Sequence, residues 1–297
     1  MHRDFVASSN QLIHIVVALA ACYRHPNRET NVACSNCERP ICPDCMTSTP
    51  VGMRCPECAR ERTRVRHGAG AASGSDTPAT YALIALCVLA FVAELAGGGG
   101  AGSLDGGGRV IREGGLFGPA VDGGEWYRIV TSAFLHAGLF HLLLNMFALY
   151  VLGTLLEPGI GTARFIAVYA VSILGGSFGA LLLDPGEVTV GASGGIFGLM
   201  AATFIVARGR GMDDVASQIG IFVVINLVFT FSIPGISIGG HLGGLVAGGL
   251  AALLISAVER RRTQASLGVE LVALAVLGAG AVVGALLAAG QSGTGLV

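Results

Sequence analysis

The sequence predicts an all-α polytopic membrane protein preceded by a small metal-binding module. Three observations predict it. The chain is 53% hydrophobic and only 12% charged, about half the charge of an ordinary soluble domain, and its mean hydropathy is +0.70. Long apolar segments recur from residue 81 almost to the C-terminus. Most of the cysteines, by contrast, cluster between Cys22 and Cys58. The same figures exclude other classes. A chain of 297 residues with so little charge cannot clothe soluble domains in a polar exterior. A formal net charge of -1, with no dominant basic patch, disfavours a nucleic-acid partner. The apolar content excludes disorder. The 46 glycines keep no triplet period, which excludes collagen.

The first stretch, residues 1–21, reads as an extension outside the folded part. Its apolar run, Ile13 to Ala21, is too short to span a bilayer and lacks a signal-peptide cleavage site.

Residues 22–58 carry the metal module. The chelating pairs are Cys22 and His25, Cys34 and Cys37, Cys42 and Cys45, and Cys55 and Cys58. Each pair brackets two residues, so both side chains reach one ion from a tight turn. Four pairs make two tetrahedral sites, which fits two Zn2+ ions. A set of disulfides would need an oxidising compartment, and the loop charges below place this module in the cytosol. With no ligand position to spare, both sites are structural. So short a module has little apolar core, so the ions supply much of its folding energy. The expected role is contact with a cytosolic protein partner. Spacing alone allows a cross-brace or sequential pairing.

Residues 59–80 read as a basic, flexible linker: Arg60, Arg62, Arg64 and Arg66 precede Gly, Ala and Ser. Residues 81–289 form the membrane domain and 290–297 a tail. The apolar segments are Tyr81–Ala96, Ser132–Leu152, Thr162–Leu183, Ser193–Ala207, Ala216–Phe231, Ile236–Val258 and Leu267–Ala289. Several fall below the ~20 residues of a standard span, which suits helices that stop inside a protein-lined cavity. Arginines precede the first segment, open the third (Arg164), and follow the fourth (Arg208, Arg210) and the sixth (Arg260, Arg261, Arg262). Of the alternate loops, 184–192 and 232–235 have none, and in the long loop 97–131 Arg109, Arg112 and Arg128 are balanced by Asp105, Glu113, Asp122 and Glu125. The positive-inside rule puts the N-terminus in the cytosol and, after seven spans, the C-terminus outside. Glu94, Glu157 and Glu270 lie near segment ends, where they are expected to reach the interface.

Polar groups within spans are costly and therefore candidates for function. His141 and Asn145 share a helix face in the second segment. Ser193 opens the fourth, where free backbone N–H groups and the helix dipole favour an oxyanion. His241 lies beside the stripe Gly240, Gly244, Gly248, which lets another helix approach. Each alone suits helix–helix hydrogen bonding or close packing. Together they lie near the N-terminal ends of segments that run in one direction, so they share a depth toward the outer face. A serine and a histidine at one depth, on closely packed helices, can form a nucleophile–base pair.

These residues resemble the rhomboid family of intramembrane serine proteases. The match runs from about Thr80 to Ala289. It rests on Trp126-Tyr127-Arg128, His136 with His141 and Asn145, Gly191-Ala192-Ser193-Gly194, and Gly240-His241-Leu242-Gly243-Gly244. The resemblance implies a rhomboid-like bundle of six core helices plus a C-terminal seventh. It implies Ser193 as nucleophile and His241 as base, with no aspartate and no catalytic cofactor. It also implies an oxyanion site built from His141, Asn145 and the Ser193 N–H. The substrates would be transmembrane proteins in the lipid bilayer, cut where a helix can unwind. Four residues after the serine, many members carry tyrosine; here it is Phe197, which keeps ring stacking but not a hydroxyl contact. Trp126 and Arg128 are expected to anchor the outer loop at the interface. The N-terminal module resembles the B-box-like zinc fingers attached to some bacterial members, which favours the cross-brace: Cys22, His25, Cys42 and Cys45 on one ion, Cys34, Cys37, Cys55 and Cys58 on the other. That resemblance also implies a bacterial cell membrane. The competing function is an inactive rhomboid-like protein that binds membrane clients. A transporter would show charged residues deep in several spans, and a ubiquitin-ligase-like role for the finger is less favoured than docking.

Overall fold

The computed structural model describes residues 20–49, 52–60, 77–98, 108–260 and 267–291. Residues 1–19, the linker arginines Arg62, Arg64 and Arg66, the loop arginines Arg261 and Arg262, and the tail from residue 292 lie outside the described residues. The chain divides into two compact units, residues 1–68 and 69–297.

Among its described residues, the first unit is two short antiparallel hairpins, a 3-10 turn (Pro43–Cys45) and one short α-helix around sulfur. Strand β1 (Ala20–Ala21) pairs with β2 (Glu29–Thr30), and β3 (Thr47–Thr49) with β4 (Gly52–Arg54). Helix α1 (Pro56–Arg60) closes it. Ala20 and Ala21 are thus part of the module, and α1 runs on through Ala59 and Arg60, where a linker is expected. The buried core is Ile41 with six of the seven module cysteines. That composition is what remains when a chain is too short to bury an ordinary apolar core.

The second unit is a helical bundle. Its helices are α2 (Pro78–Ala96), α3 (Arg109–Gly114), α4 (Gly118–Asp122), α5 (Arg128–Thr131), α6 (Leu139–Ile160), α7 (Thr162–Leu183), α8 (Ser193–Gly209), α9 (Asp213–Ser232), α10 (Ile238–Arg260) and α11 (Leu267–Gln291). Six of them are long and apolar enough to cross a membrane, and α8 is a shorter apolar helix of 17 residues. Together they are the expected six-helix core and C-terminal seventh.

Several boundaries differ from expectation. Helix α2 begins at Pro78 rather than Tyr81, with the proline in its first turn, where a missing N–H costs nothing. Helix α6 begins at Leu139, not Ser132. A 3-10 turn (Ser132–Phe134) precedes it, Leu135 is extended, and Gly138 takes φ 144°, a conformation only glycine adopts without strain. At its other end α6 runs on through Pro158 to Ile160.

The three glutamates expected at the interface are buried instead: Glu94, Glu157 and Glu270 are 3%, 1% and 2% exposed. Each is there because it satisfies donors that the bundle buries. Glu157 at the end of α6 accepts the Ala79 and Thr80 N–H groups and the Thr80 hydroxyl, at 3.0, 2.9 and 2.7 Å, so it caps α2 from another helix. It also accepts from Thr162 at the start of α7. Glu94 accepts the His136 N–H at 3.0 Å. Glu270 takes a two-pronged bond from Arg164 at 2.6 and 3.0 Å, tying α11 to α7.

Glycine decides how closely α7, α8 and α10 approach. A Cβ at Gly179 would lie 2.2 Å from the Gly239 carbonyl oxygen, and one at Gly175 2.9 Å from that of Gly243. On the other face of α10, a Cβ at Gly244 would lie 2.0 Å from the Gly194 oxygen, and one at Gly248 2.4 Å from the Gly198 Cα. The two glycine edges of α10 thus sit backbone to backbone against α7 and α8.

Candidate active site

Ser193 is the first residue of α8. The turn leading into it needs Gly191, whose φ is 127° and whose N–H is tied to the Ser132 carbonyl at 2.9 Å. As a first-turn residue, Ser193 has an N–H with no acceptor inside its own helix. Across the glycine contact, α10 carries His241 one turn from its start, its N–H bonded to the Ser237 carbonyl. The geometry brings the two side chains together: His241 Nε2 and Ser193 Oγ are 2.8 Å apart. Phe197, one turn along α8 from the serine, stacks on the imidazole at 4.2 Å with 17° between the ring planes. That fixes the ring plane without a hydroxyl.

His141 joins them from α6. A Cβ at Gly191 would lie 2.8 and 2.9 Å from His141 Cε1 and Nε2 and 3.7 Å from Ser193 Oγ, so the imidazole packs on the glycine turn beside the serine. Its Nδ1 accepts the Ala137 N–H at 3.3 Å, which leaves the proton on Nε2, the edge facing that turn. Asn145 is not brought to the serine directly. It is buried, and its Nδ2 donates to the His141 carbonyl at 2.8 Å, with a second N–H left over. Chemically this is a hydroxyl bonded to an imidazole, next to a helix N-terminus and a second imidazole N–H. Such an arrangement can deprotonate the hydroxyl and stabilise negative charge on an acyl oxygen.

One contact on this site has no signal in the sequence. Thr230 of α9, 2% exposed, holds its Oγ1 2.7 Å from His241 Nδ1. Threonine is common in apolar helices, and no local spacing marks one that meets a histidine on the next helix.

The loop between α2 and α6 also departs from expectation. Trp126 is 66% exposed, as an interfacial anchor would be, but Arg128 is 6% exposed. Its guanidinium donates to the Arg112 and Gly115 carbonyls at 2.7 and 2.8 Å and pairs with Glu125 at 2.7 Å. Arg128 therefore pins the loop to itself. The loop is stitched to residues 184–192 by the Leu116–Thr189 bridge.

In the first unit, the ligand candidates fall into two groups, Cys22, His25, Cys42 and Cys45, and Cys34, Cys37, Cys55 and Cys58. Within each, the ligand atoms lie within 4.8 Å of one another, and none is in a disulfide. Cys37 Sγ and Cys55 Sγ are 3.8 Å apart, the edge of a tetrahedron with ~2.3 Å metal–sulfur bonds. His25 presents Nδ1, 3.3 and 3.4 Å from the Cys42 and Cys45 sulfurs. Burial opposes ionisation of Cys22 and Cys34, but backbone N–H donors bring both thiols down to about 6. The donor set and spacing fit two metal ions. Arg39 and Asn36, which the cysteine pattern does not flag, support the second group: Arg39 Nε donates to Cys37 Sγ at 3.3 Å and Asn36 Nδ2 to Cys58 Sγ at 3.4 Å.

Comparison with known proteins bears on the second unit. Residues 123–258 match the rhomboid domain family. Rhomboid protease GluP of Bacillus subtilis (strain 168) is 34% identical over 176 residues, 58% of this chain and 34% of that protein. YdcA, a second rhomboid-named protein of that organism, is 34% identical over 146 residues, 48% of this chain and 73% of YdcA. Rhomboid-like protease 3 of Toxoplasma gondii is 32% identical over 141 residues, 46% of this chain and 54% of that protein. The chain thus matches only about a third of the length of GluP.

Proposed function

The chain belongs to the rhomboid family of multi-pass membrane proteins, and from that premise we propose that it is an intramembrane serine protease acting on transmembrane proteins. The observation that carries the reading is the 2.8 Å contact between Ser193 Oγ and His241 Nε2. Ser193 attacks the scissile carbonyl carbon as His241 takes the hydroxyl proton. The oxyanion accepts from the His141 Nε2–H, the free Asn145 N–H and the Ser193 backbone N–H. His241 then returns the proton to the leaving amine. Water, activated by the same imidazole, hydrolyses the acyl-enzyme. A regular helix hides its carbonyls in hydrogen bonds, so substrates are cut where small or helix-breaking residues let it unwind.

In this reading residues 81–289 are the protease domain, with the N-terminus cytosolic, the C-terminus outside, and the serine toward the outer face of a bacterial cell membrane. Residues 22–58 hold two structural Zn2+ ions and dock a cytosolic protein. The test is cleavage of a transmembrane substrate in liposomes by the wild type, Ser193→Ala and His241→Ala, with folding monitored for all three. Cleavage by the wild type alone is expected. A folded Ser193→Ala that still cuts overturns the assignment, and a wild type that cuts nothing and takes no serine-directed phosphonate favours client binding.

A further inference from the structure

A dyad lacks the third group that, in a triad, fixes which ring nitrogen of the histidine carries its proton. In this protein Nδ1 of His241 is not left free. Thr230 Oγ1 lies 2.7 Å from it, and the same oxygen lies 2.8 Å from the backbone carbonyl of Asn226, one turn back in α9. The hydroxyl has a single hydrogen. A carbonyl can only accept, so the contact with Asn226 is made by that hydrogen. The contact with His241 can then be made only if Nδ1 carries the proton and the threonine oxygen accepts it. Both contacts are satisfied together in one tautomer, Nδ1–H, which presents the Nε2 lone pair to Ser193.

We propose that Thr230 is a positioning residue for the base: its hydroxyl, oriented by the Asn226 carbonyl, holds His241 in the tautomer that accepts the Ser193 proton. The proposal rests on the protease reading above. When His241 takes the serine proton, Nδ1–H keeps the same acceptor, so no rearrangement accompanies the step. A neutral hydroxyl does this without burying a carboxylate among membrane helices, where a charge is expensive. The threonine methyl and hydroxyl are buried, so the contact is shielded from competing water. Phe197 sets the plane of the ring from one side, and Thr230 sets its rotation within that plane.

The test compares wild type, Thr230→Val and Thr230→Ser in reconstituted full-length protein. Valine keeps the shape and removes the acceptor; serine keeps the acceptor and removes the methyl. Four quantities are read: kcat and KM for a transmembrane substrate, the rate at which a fluorophosphonate labels Ser193, and the thermal midpoint. Thr230→Val is expected to lower kcat and the labelling rate on the order of tenfold, the effect of one net hydrogen bond, with KM unchanged and the midpoint lowered only slightly. Thr230→Ser is expected to restore kcat and labelling. Wild-type kcat in Thr230→Val overturns the proposal. So does a Thr230→Ser protein as slow as Thr230→Val with both midpoints lowered substantially, since packing then explains the loss. A wild type that neither labels nor cuts defeats the protease reading itself, and Thr230 falls with it. Labelling of wild type but not Ser193→Ala separates that failure from a failure of Thr230 alone.

Discussion

Replacing Gly248 with alanine should pry apart α8 and α10, the helices that carry Ser193 and His241. The added Cβ would lie 2.4 Å from the Gly198 Cα, 2.5 Å from its carbonyl oxygen and 2.6 Å from its carbonyl carbon. All three are backbone atoms, so no side chain can swing away. Ordinary carbon–carbon contact needs about 3.5 Å, so α10 and α8 must separate by about 1 Å. If they move as rigid bodies, the 2.8 Å contact between His241 and Ser193 opens toward about 3.8 Å, beyond hydrogen-bonding range. Overpacking costs about 1–3 kcal/mol of stability, and a ~1 Å misplacement of reacting groups costs about 10²-fold in rate. The assay is kcat for a transmembrane substrate beside the thermal midpoint. The neighbouring Gly249→Ala is the internal control, because its Cβ would meet only Ala201 and Ile205 side chains at 3.6 and 3.7 Å. Gly249→Ala should cut normally. A Gly248→Ala protein that cuts as fast as wild type would refute the argument that the glycine edge sets the dyad distance.

Phe197→Ala removes the ring stacked on His241 and should lower kcat about 10- to 100-fold through misorientation, whereas Phe197→Tyr should cut at close to the wild-type rate; kinetics on the two variants checks this. Glu157→Ala strips the acceptor from two backbone N–H groups and two hydroxyls and should cost about 2–4 kcal/mol, read as a lowered unfolding midpoint with cleavage retained below it. Metal analysis should find two zinc ions per chain. Cys22→Ala combined with Cys42→Ala should lose one ion, and Cys22→Ala combined with Cys34→Ala should lose both; the reverse result would mean sequential pairing.

The seven apolar segments are legible because a bilayer demands long uninterrupted runs, and the candidate metal ligands because chelation demands fixed short spacings. Ser193 and His241 are legible because a polar group within a span is conspicuous. What the sequence hides depends on contacts between segments. Glu157 reads as an interfacial glutamate until the α2 N-terminus is seen against it. Arg128 reads as an anchor because its carbonyl partners, Arg112 and Gly115, sit in a glycine-rich loop with no periodic pattern. The start of α6 is obscured because Ser132 to His141 is apolar enough to pass for helix, while a 3-10 turn, an extended Leu135 and the φ of Gly138 break it. Thr230 is invisible because its partner, eleven residues on, depends on how α9 turns back into α10.

The most direct test of the central claim is where and how fast a fluorophosphonate reacts with the reconstituted protein. Peptide mass spectrometry should place the label on Ser193 alone, and His241→Ala, folded to the same midpoint, should lose the reaction. Label on another residue, or equal labelling of Ser193 in His241→Ala, would contradict a serine activated by that histidine.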